Sequence, residues 1–153
     1  MSNEKTFEIE IPADKDGFIL LQCEYCGTLF KITASDFHDD GLLHIYCPCC
    51  GLVSENYLTE DALNLAKAVV KNYVRGAIYD SLKKLEHKTK NSLIRIEAGA
   101  KPDLEPENPI YDESNILTIA RFECCERHAK VKPLLKMTGC YCPFCGVKDY
   151  DVK

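Results

Sequence analysis

The sequence predicts an α+β protein in which two small cysteine-bearing β modules are joined by one long amphipathic α-helix. The first supporting observation is that the order of predicted elements in the N-terminal half recurs in the C-terminal half. The second is a central run of about 30 residues whose apolar positions recur every three or four residues. These features divide the chain into residues 1–58, 59–90 and 91–153.

The repeated order comprises a strand, a connection, a second strand, a pair of ligand-type residues, a further strand and a second pair. Its predicted strands lie at residues 7–11, 18–22 and 29–32 in the first half, and at residues 93–97, 117–122 and 129–132 in the second. Superposing Cys23 and Cys26 on Cys125 and His128 also aligns the strands that follow. We interpret the shared order as an internal duplication.

The central segment, residues 59–90, predicts a helix. Thr59 is suited to the N-cap, and Glu60 and Asp61 follow in the first turn, where the helix dipole favours acidic residues. The apolar positions are Ala62, Leu63, Ala66, Val69, Val70, Tyr73, Val74, Ala77, Ile78, Leu82 and Leu85. A helix of this length measures roughly 45 Å. Its apolar stripe is too wide for one small module to cover, which predicts a second copy or another protein as partner, unless both modules fold back onto it.

The segment 99–115 is rich in proline and acidic residues, with Pro102, Pro106 and Pro109 among Asp and Glu. This composition predicts an exposed loop inside the C-terminal module. A solvated spacer is the simpler interpretation, and an acidic partner-binding arm is the alternative.

The ten cysteines are the unusual feature of the composition. Because no export signal is visible, metal ligation is expected rather than disulfide formation, and the expected location is the cytoplasm. Two Cys-x2-Cys pairs, each followed by glycine, present four thiols from two tight turns. They predict a metal site formed by Cys23, Cys26, Cys47 and Cys50.

The repeat predicts a second site formed by Cys125, His128, Cys142 and Cys145. His128 stands where the first half has Cys26, and an imidazole nitrogen is an accepted ligand of zinc. Cys124 or Cys140 could take the place of His128, since both lie close to an assigned ligand. Three cysteines are not among the eight assigned residues: Cys49, Cys124 and Cys140. We expect them to be small packed or exposed residues rather than redox groups.

The order of strand, Cys-x2-Cys, hairpin and Cys-Pro-x-Cys-Gly resembles the zinc ribbon, the small β module of transcription factor IIB-type and many bacterial zinc-ribbon proteins. The resemblance covers residues of about 18–53 and, less closely, about 116–148. It implies two structural zinc ions per chain. It does not imply a function, because ribbons bind polymerases, nucleic acids or other proteins, or only stabilise a larger chain.

The distribution of charge argues against nucleic-acid binding. The net charge is −5, and residues 1–58 carry three basic and ten acidic side chains. Phosphate binding depends on lysine and arginine, which are concentrated near the end of the helix and around Arg127 and Lys130. A nucleic-acid-binding or transcription-associated protein that uses these two regions is therefore the alternative function.

An enzymatic function is not expected, because both predicted metal sites are closed by four protein ligands and no pairing of a base with a nucleophile is visible. No apolar run is long enough to span a membrane. The sequence therefore predicts a non-enzymatic zinc-binding adaptor that forms a homodimer or binds a protein partner through the helix of residues 59–90.

Overall fold

The structure is a computed structural model that describes residues 5–110 and 116–153. It is an α+β fold. The elements are β1 (Phe18–Gln22), β2 (Leu29–Thr33), α1 (Ala34–Phe37), α2 (Glu60–Thr89), β3 (Thr118–Phe122), β4 (Arg127–Val131), α3 (Pro133–Thr138), β5 (Cys140–Tyr141) and β6 (Lys148–Asp149). Among the described residues, no helix combines the length and apolar character that a bilayer span requires.

The chain divides into two compact units. The helix unit contains Met1–Ile9 and Asp61–Pro109, and the cysteine unit contains Glu10–Glu60 and Ile110–Lys153. Both cysteine-bearing halves therefore lie in one unit, whereas the sequence analysis assigned them to separate segments on either side of the helix.

A four-stranded antiparallel sheet joins the two halves of the cysteine unit, with the strand order β1-β2-β4-β3. The central pairing is between β2 and β4, where Lys31 lies opposite Lys130 and Ile32 lies opposite Ala129. A separate two-stranded sheet is formed by β5 and β6. Each half supplies a hairpin, and the two hairpins pair through their inner strands.

The hydrophobic core of this unit draws on both halves. Its fully buried members include Leu21, Phe30, Ile32, Ala120, Phe122, Ala129 and Val131. Tyr57 packs edge-on against the ring of Phe30 at 5.7 Å. The Tyr57 hydroxyl donates to the carbonyl of Ile45 and accepts from the backbone N–H of Ser54, and burial raises the pKa of Tyr57 to about 12. These bonds fix the segment between the second cysteine pair and α2.

Reciprocal backbone hydrogen bonds connect the second cysteine pairs of the two halves. The N–H of Tyr46 donates to the carbonyl of Pro143 at 2.8 Å, and the N–H of Tyr141 donates to the carbonyl of Pro48 at 2.9 Å. Each bond therefore runs from the residue before one Cys-Pro sequence to the proline of the other. The two cysteine pairs hold each other in place.

Two glycines make this close approach possible. A Cβ atom on Gly51 would lie 2.9 Å from the ring of Tyr141, and one on Gly146 would lie 2.8 Å from the ring of Tyr46. Both glycines also have positive φ, which side chains with a Cβ adopt at a cost. The glycine after each second cysteine pair thus adopts the backbone conformation that its own turn requires and leaves room for the tyrosine ring of the opposite half.

A buried ion cluster lies at the centre of the sheet. The Oδ2 atom of Asp14 accepts from Lys31 Nζ at 3.0 Å and from Lys130 Nζ at 2.8 Å, and Lys130 also reaches Asp16 at 2.7 Å. The side chains of Lys31, Lys130 and Asp14 are 3%, 11% and 9% exposed. Burial tends to raise the pKa of Asp14, but the hydrogen bonds from Lys130, Phe18 N–H and Lys31 outweigh it and hold this pKa well below its usual range. Asp14 thereby offsets the repulsion between two lysines placed directly opposite each other.

A second set of ion pairs connects the halves at the start of β4. Arg127 donates to Asp36 at 3.1 Å and to Asp39 at 2.8 Å, and its guanidinium lies 5.5 Å from the ring centre of Phe144. Hydrogen bonds from Gly41 N–H and Arg127 lower the pKa of Asp39. Arg127 and Lys130 of the second half are thus both paired with acidic residues of the first.

The helix unit contains α2, whose bounds agree with the predicted helix at residues 59–90. The expected strands at residues 7–11 and 93–97 do not form. The Phe7 ring instead contacts Tyr73 of α2 at 5.2 Å. The backbone N–H of Ile96 donates to the Thr89 hydroxyl, so this segment binds helix side chains rather than a neighbouring strand.

The acidic segment at residues 99–115 is not only a solvated spacer. Residues 103–107 lie along α2, where the Glu105 carboxylate forms ion pairs with Lys71 and Arg75. Residues 111–115 fall outside the described residues.

We expect Asp14→Asn to destabilise the protein by about 3 kcal/mol, because the two buried lysines would lose the carboxylate that bridges them. The asparagine keeps an oxygen to accept the N–H groups of Asp16 and Phe18, whereas its amide NH2 group replaces the oxygen that accepts from Lys31 and Lys130. Urea unfolding followed by circular dichroism measures the change. Asp16→Asn is the control, with an expected loss below about 1 kcal/mol because Asp16 is more exposed. Equal losses in the two variants would contradict the assigned role of Asp14.

Candidate metal centres

The first thiol cluster is formed by Cys23, Cys26, Cys47 and Cys50, as the sequence predicts. Their Sγ atoms lie within 4.8 Å of one another, with 3.8 Å between Cys23 and Cys50 and 3.5 Å between Cys26 and Cys47. Zinc bound by four thiolates at about 2.3 Å requires sulfur–sulfur separations of roughly 3.8 Å. The donor type, number and spacing of this cluster therefore fit a tetrahedral metal ion.

Two tight turns present these four thiols. The N–H of Gly27 donates to the carbonyl of Cys23 at 2.8 Å, and the N–H of Gly51 donates to the carbonyl of Cys47 at 2.8 Å. Both glycines have positive φ, near 70°. The glycine after each Cys-x2-Cys pair thus closes a turn that a residue with a Cβ would strain.

The second thiol cluster is formed by Cys124, Cys125, Cys142 and Cys145. The Sγ atoms of Cys125 and Cys142 are 3.4 Å apart, and those of Cys124 and Cys145 are 3.0 Å apart. Three of these residues were assigned from the sequence. The fourth, Cys124, was the alternative to His128.

His128 is not among the residues that the structure gathers at this cluster. It lies within β4, exposed and paired in register with Arg121 of β3. Cys124 and Cys125 instead lie in the turn between the two strands. The geometry thus favours a site with four thiols over the sequence-based site with three thiols and one imidazole.

The hydrogen bonds of the turn explain the difference. The N–H of Glu126 donates to the carbonyl of Phe122 at 2.8 Å, as the N–H of Gly27 does to Cys23. Glu126 has a positive φ of 57°, close to the 68° of Gly27. By this match Cys125 corresponds to Cys26, and Phe122 fills the buried place of Cys23. Cys124 then supplies the missing thiol from within the turn.

This match could have been found in the sequence. Aligning Lys31 and Ile32 with Lys130 and Val131 places Cys26 on Cys125, whereas the sequence analysis placed Cys26 on His128. In this alignment the apolar Phe122 stands at the position of Cys23, and the corresponding thiol, Cys124, lies two residues later.

The protonation of the free thiols differs within each cluster. Burial raises the pKa of Cys47, whereas hydrogen bonds from Thr28 and the neighbouring thiols outweigh burial and lower the pKa of Cys26 to about 6. In the second cluster burial and the adjacent Cys145 raise the pKa of Cys124 to about 12. Because metal binding requires thiolates, loading either cluster releases protons and weakens as the pH falls.

The two clusters differ in exposure. In the first, Cys23 and Cys47 are buried and only Cys26 is exposed. In the second, Cys142 is the single buried member, and Cys124 and Cys145 are exposed. Exchange of a thiolate ligand requires access by water, chelator or oxidant, so the second cluster is the more open to attack.

The remaining cysteines, Cys49 and Cys140, lie outside both clusters. Cys49 is exposed, and its backbone N–H donates to Cys47 Sγ at 3.4 Å. Cys140 is part of the hydrophobic core, and burial raises its pKa to about 11. Both positions agree with the expected role as exposed or packed residues.

We expect Cys124→Ser to reduce the zinc content from two ions to one, and His128→Ala to leave it at two. The reason is that Cys124, not His128, lies with the other three thiols. Elemental analysis of protein purified without added metal measures the stoichiometry. Cys49→Ser is the control and should retain both ions. If the His128→Ala variant loses one zinc ion, the imidazole of His128 is a ligand after all.

We expect zinc to leave the second cluster at least about tenfold faster than the first when a chromogenic chelator is added, because its ligands are less protected. Absorbance of the zinc–chelator complex should show two phases of equal amplitude. The Cys124→Ser variant should lack the fast phase, and Cys26→Ser should lack the slow one. Two results would contradict the proposed order of zinc release: release in a single phase, or loss of the slow phase in Cys124→Ser and of the fast phase in Cys26→Ser.

The chain was also compared with known proteins. No protein-family model, curated protein or solved structure matches it. The role of the two thiol clusters is therefore inferred from the residues of this chain alone.

Proposed function

We propose that this chain is a non-enzymatic, cytoplasmic zinc protein that acts as a protein-interaction module and assembles through α2. Each thiol cluster offers four ligands, which would complete the coordination of zinc and leave no position for a substrate. This favours a structural role for both ions. The observation that carries the interaction function is an apolar face on the helix.

The apolar face of α2 is formed by Val70, Val74, Ile78 and Leu85, all of which are exposed. Val74 and Ile78 are 46% and 55% exposed. A shallow groove of about 330 Å³ runs along this face, lined by Tyr73, Val74, Ala77, Ile78, Ser81 and Leu82. An apolar stripe of this length on one side of a helix is typical of an interaction surface.

Other parts of the helix unit cover the flanks of this face. On one side Lys5 and Phe7 contact the ring of Tyr73, and on the other Glu105 binds Lys71 and Arg75. Aromatic and cation–π contacts thus border one side of the apolar strip and ion pairs border the other, and the central side chains of the strip are small or branched. Such a strip suits close packing against a second helix, and an identical copy of α2 supplies one by two-fold symmetry.

We further propose that the cysteine unit consists of two zinc ribbons derived by duplication. Matching turn hydrogen bonds at Cys23 and Phe122 support this, as do the reciprocal bonds of Tyr46 and Tyr141. In the pairing of β2 with β4, Lys31 lies opposite Lys130, its counterpart in the repeat. This is the relation that two copies around a two-fold axis would have.

Nucleic-acid binding is less well supported. Arg127 and Lys130, which the sequence analysis counted toward a basic surface, are bound to Asp36, Asp39 and Asp14. A basic side chain that already has an acidic partner contributes less to phosphate neutralisation.

We expect Val70→Glu to convert the wild-type oligomer to a monomer of about 17 kDa, since a carboxylate in a desolvated helix seam costs several kcal/mol. Multi-angle light scattering measures the mass. In the monomer Val70 is partly exposed, so the zinc content and helix content should not change.

The matched control is Leu93→Glu, which places the same charge on a fully exposed leucine outside α2 and should leave the mass unchanged. A wild-type chain that is monomeric, and that retains no other protein when isolated from cells, would refute assembly through this face.

A further inference from the structure

The helix unit contains a contact typical of peptide recognition. The side-chain amide of Asn72 donates to the carbonyl of Glu105 at 2.9 Å and accepts from the N–H of the same residue at 2.8 Å. The N–H and C=O of one residue point to the same side when the backbone is extended. Asn72 therefore makes the two bonds that a neighbouring strand would make.

The neighbouring side chains bind the carboxylate of the same residue. Lys71 Nζ lies 3.3 Å and Arg75 Nη2 lies 3.1 Å from Glu105 Oε1, and Arg75 Nη1 donates to the carbonyl of Asp103 at 3.2 Å. Lys71, Asn72 and Arg75 lie within two turns of α2. Together they contact both the backbone and the acidic side chain of an extended segment.

The sequence of the bound segment favours this conformation. Glu105 precedes Pro106, and a residue before proline is restricted to extended backbone. Asn72 Nδ2 also donates to the Glu107 carboxylate at 2.9 Å, which adds a second acidic position. The contacts thus describe a ligand: an extended segment with a glutamate immediately before a proline.

The segment is held weakly. None of residues 101–109 is buried, and Lys71 and Arg75 remain 57% and 41% exposed. Exposed ion pairs contribute little to stability, so the covalent connection keeps the segment in place by giving it a high effective concentration. A segment bound in this way can be exchanged for a similar one from another protein.

We propose that Lys71, Asn72 and Arg75 form a binding site for extended acidic peptides, occupied here by residues 103–107 of the chain itself. The physiological ligand is a glutamate–proline segment of a partner protein, which displaces the internal one. This site lies beside the apolar face of α2 and does not depend on assembly through that face. A nucleic-acid phosphate could bind Lys71 and Arg75, but it would not offer the paired N–H and C=O that Asn72 contacts.

The test uses a fluorescein-labelled peptide with the sequence of residues 101–109 and blocked ends, measured by fluorescence anisotropy at low salt. In the full-length zinc-loaded chain, Glu105→Lys should release the internal segment by repulsion from Lys71 and Arg75. This variant should bind the peptide at least about tenfold more tightly than the wild type, in which the internal segment competes. Glu97→Lys, the matched control, makes the same charge change at an exposed residue paired with Arg95 and should behave as the wild type.

Adding Asn72→Ala to the Glu105→Lys chain should weaken peptide binding at least about tenfold, because the two hydrogen bonds to the Glu105 backbone and the one to the Glu107 carboxylate are lost. Circular dichroism and zinc analysis establish that each variant is folded. The proposal fails if the folded Glu105→Lys chain does not bind the peptide, or binds it no better than the wild type does. It also fails if Asn72→Ala has no effect, or if a uridine 12-mer RNA displaces the peptide at an equal concentration, since either result would indicate a general anion surface.

Discussion

The pairing of β2 with β4 places Lys31 directly opposite Lys130 in the middle of a buried sheet, and Asp14 makes that pairing possible. Two ammonium groups that lose most of their water would repel each other strongly without a countercharge. One carboxylate oxygen within 3.0 Å of both supplies it. The common core and the reciprocal tyrosine bonds join the same two halves that this strand pairing connects.

Burying the charges of this ion cluster also has a cost in free energy, because the charged groups lose their hydration. Replacing a buried ion cluster with apolar side chains is often neutral or stabilising, so stability alone does not explain why charged residues occupy this position. Charged groups do restrict the register, because a one-residue slip of β4 would bring Ala129 or Val131 opposite Lys31 and move Lys130 away from Asp14. We interpret the cluster as a means of fixing how the two halves align.

Local elements of the fold could be predicted from the sequence, whereas their long-range pairing could not. The helix of residues 59–90 and the strands at 18–22 and 29–32 follow from apolar periodicity, which depends on neighbours in the chain. Periodicity gives the face of a strand but not its neighbour, so the pairing of β2 with β4 was not predicted. The same limit explains why strands were expected at residues 7–11 and 93–97. Periodicity could not show that neither segment pairs with a strand among the described residues.

The first thiol cluster was predictable in full because both of its pairs keep the Cys-x2-Cys-Gly spacing. The second was predictable in three of four residues. Its turn carries Glu126 where the first has Gly27, and Phe122 where the first has Cys23, so spacing alone aligned Cys26 with His128. Aligning Lys31 and Ile32 with Lys130 and Val131 gives the other correspondence, and the backbone hydrogen bond of the turn supports it.

The central position of β2 also has a consequence for synthesis of the chain on the ribosome. At about 5–20 residues per second, β4 follows β2 by roughly 5–20 seconds. During that interval one edge of β2 has no partner strand, and unpaired edges promote aggregation. Lys31 is the kind of residue that protects such an edge, because a lysine in the middle of a strand discourages pairing with another chain. Lys31, which requires a countercharge in the folded protein, thus helps to protect the nascent chain from aggregation.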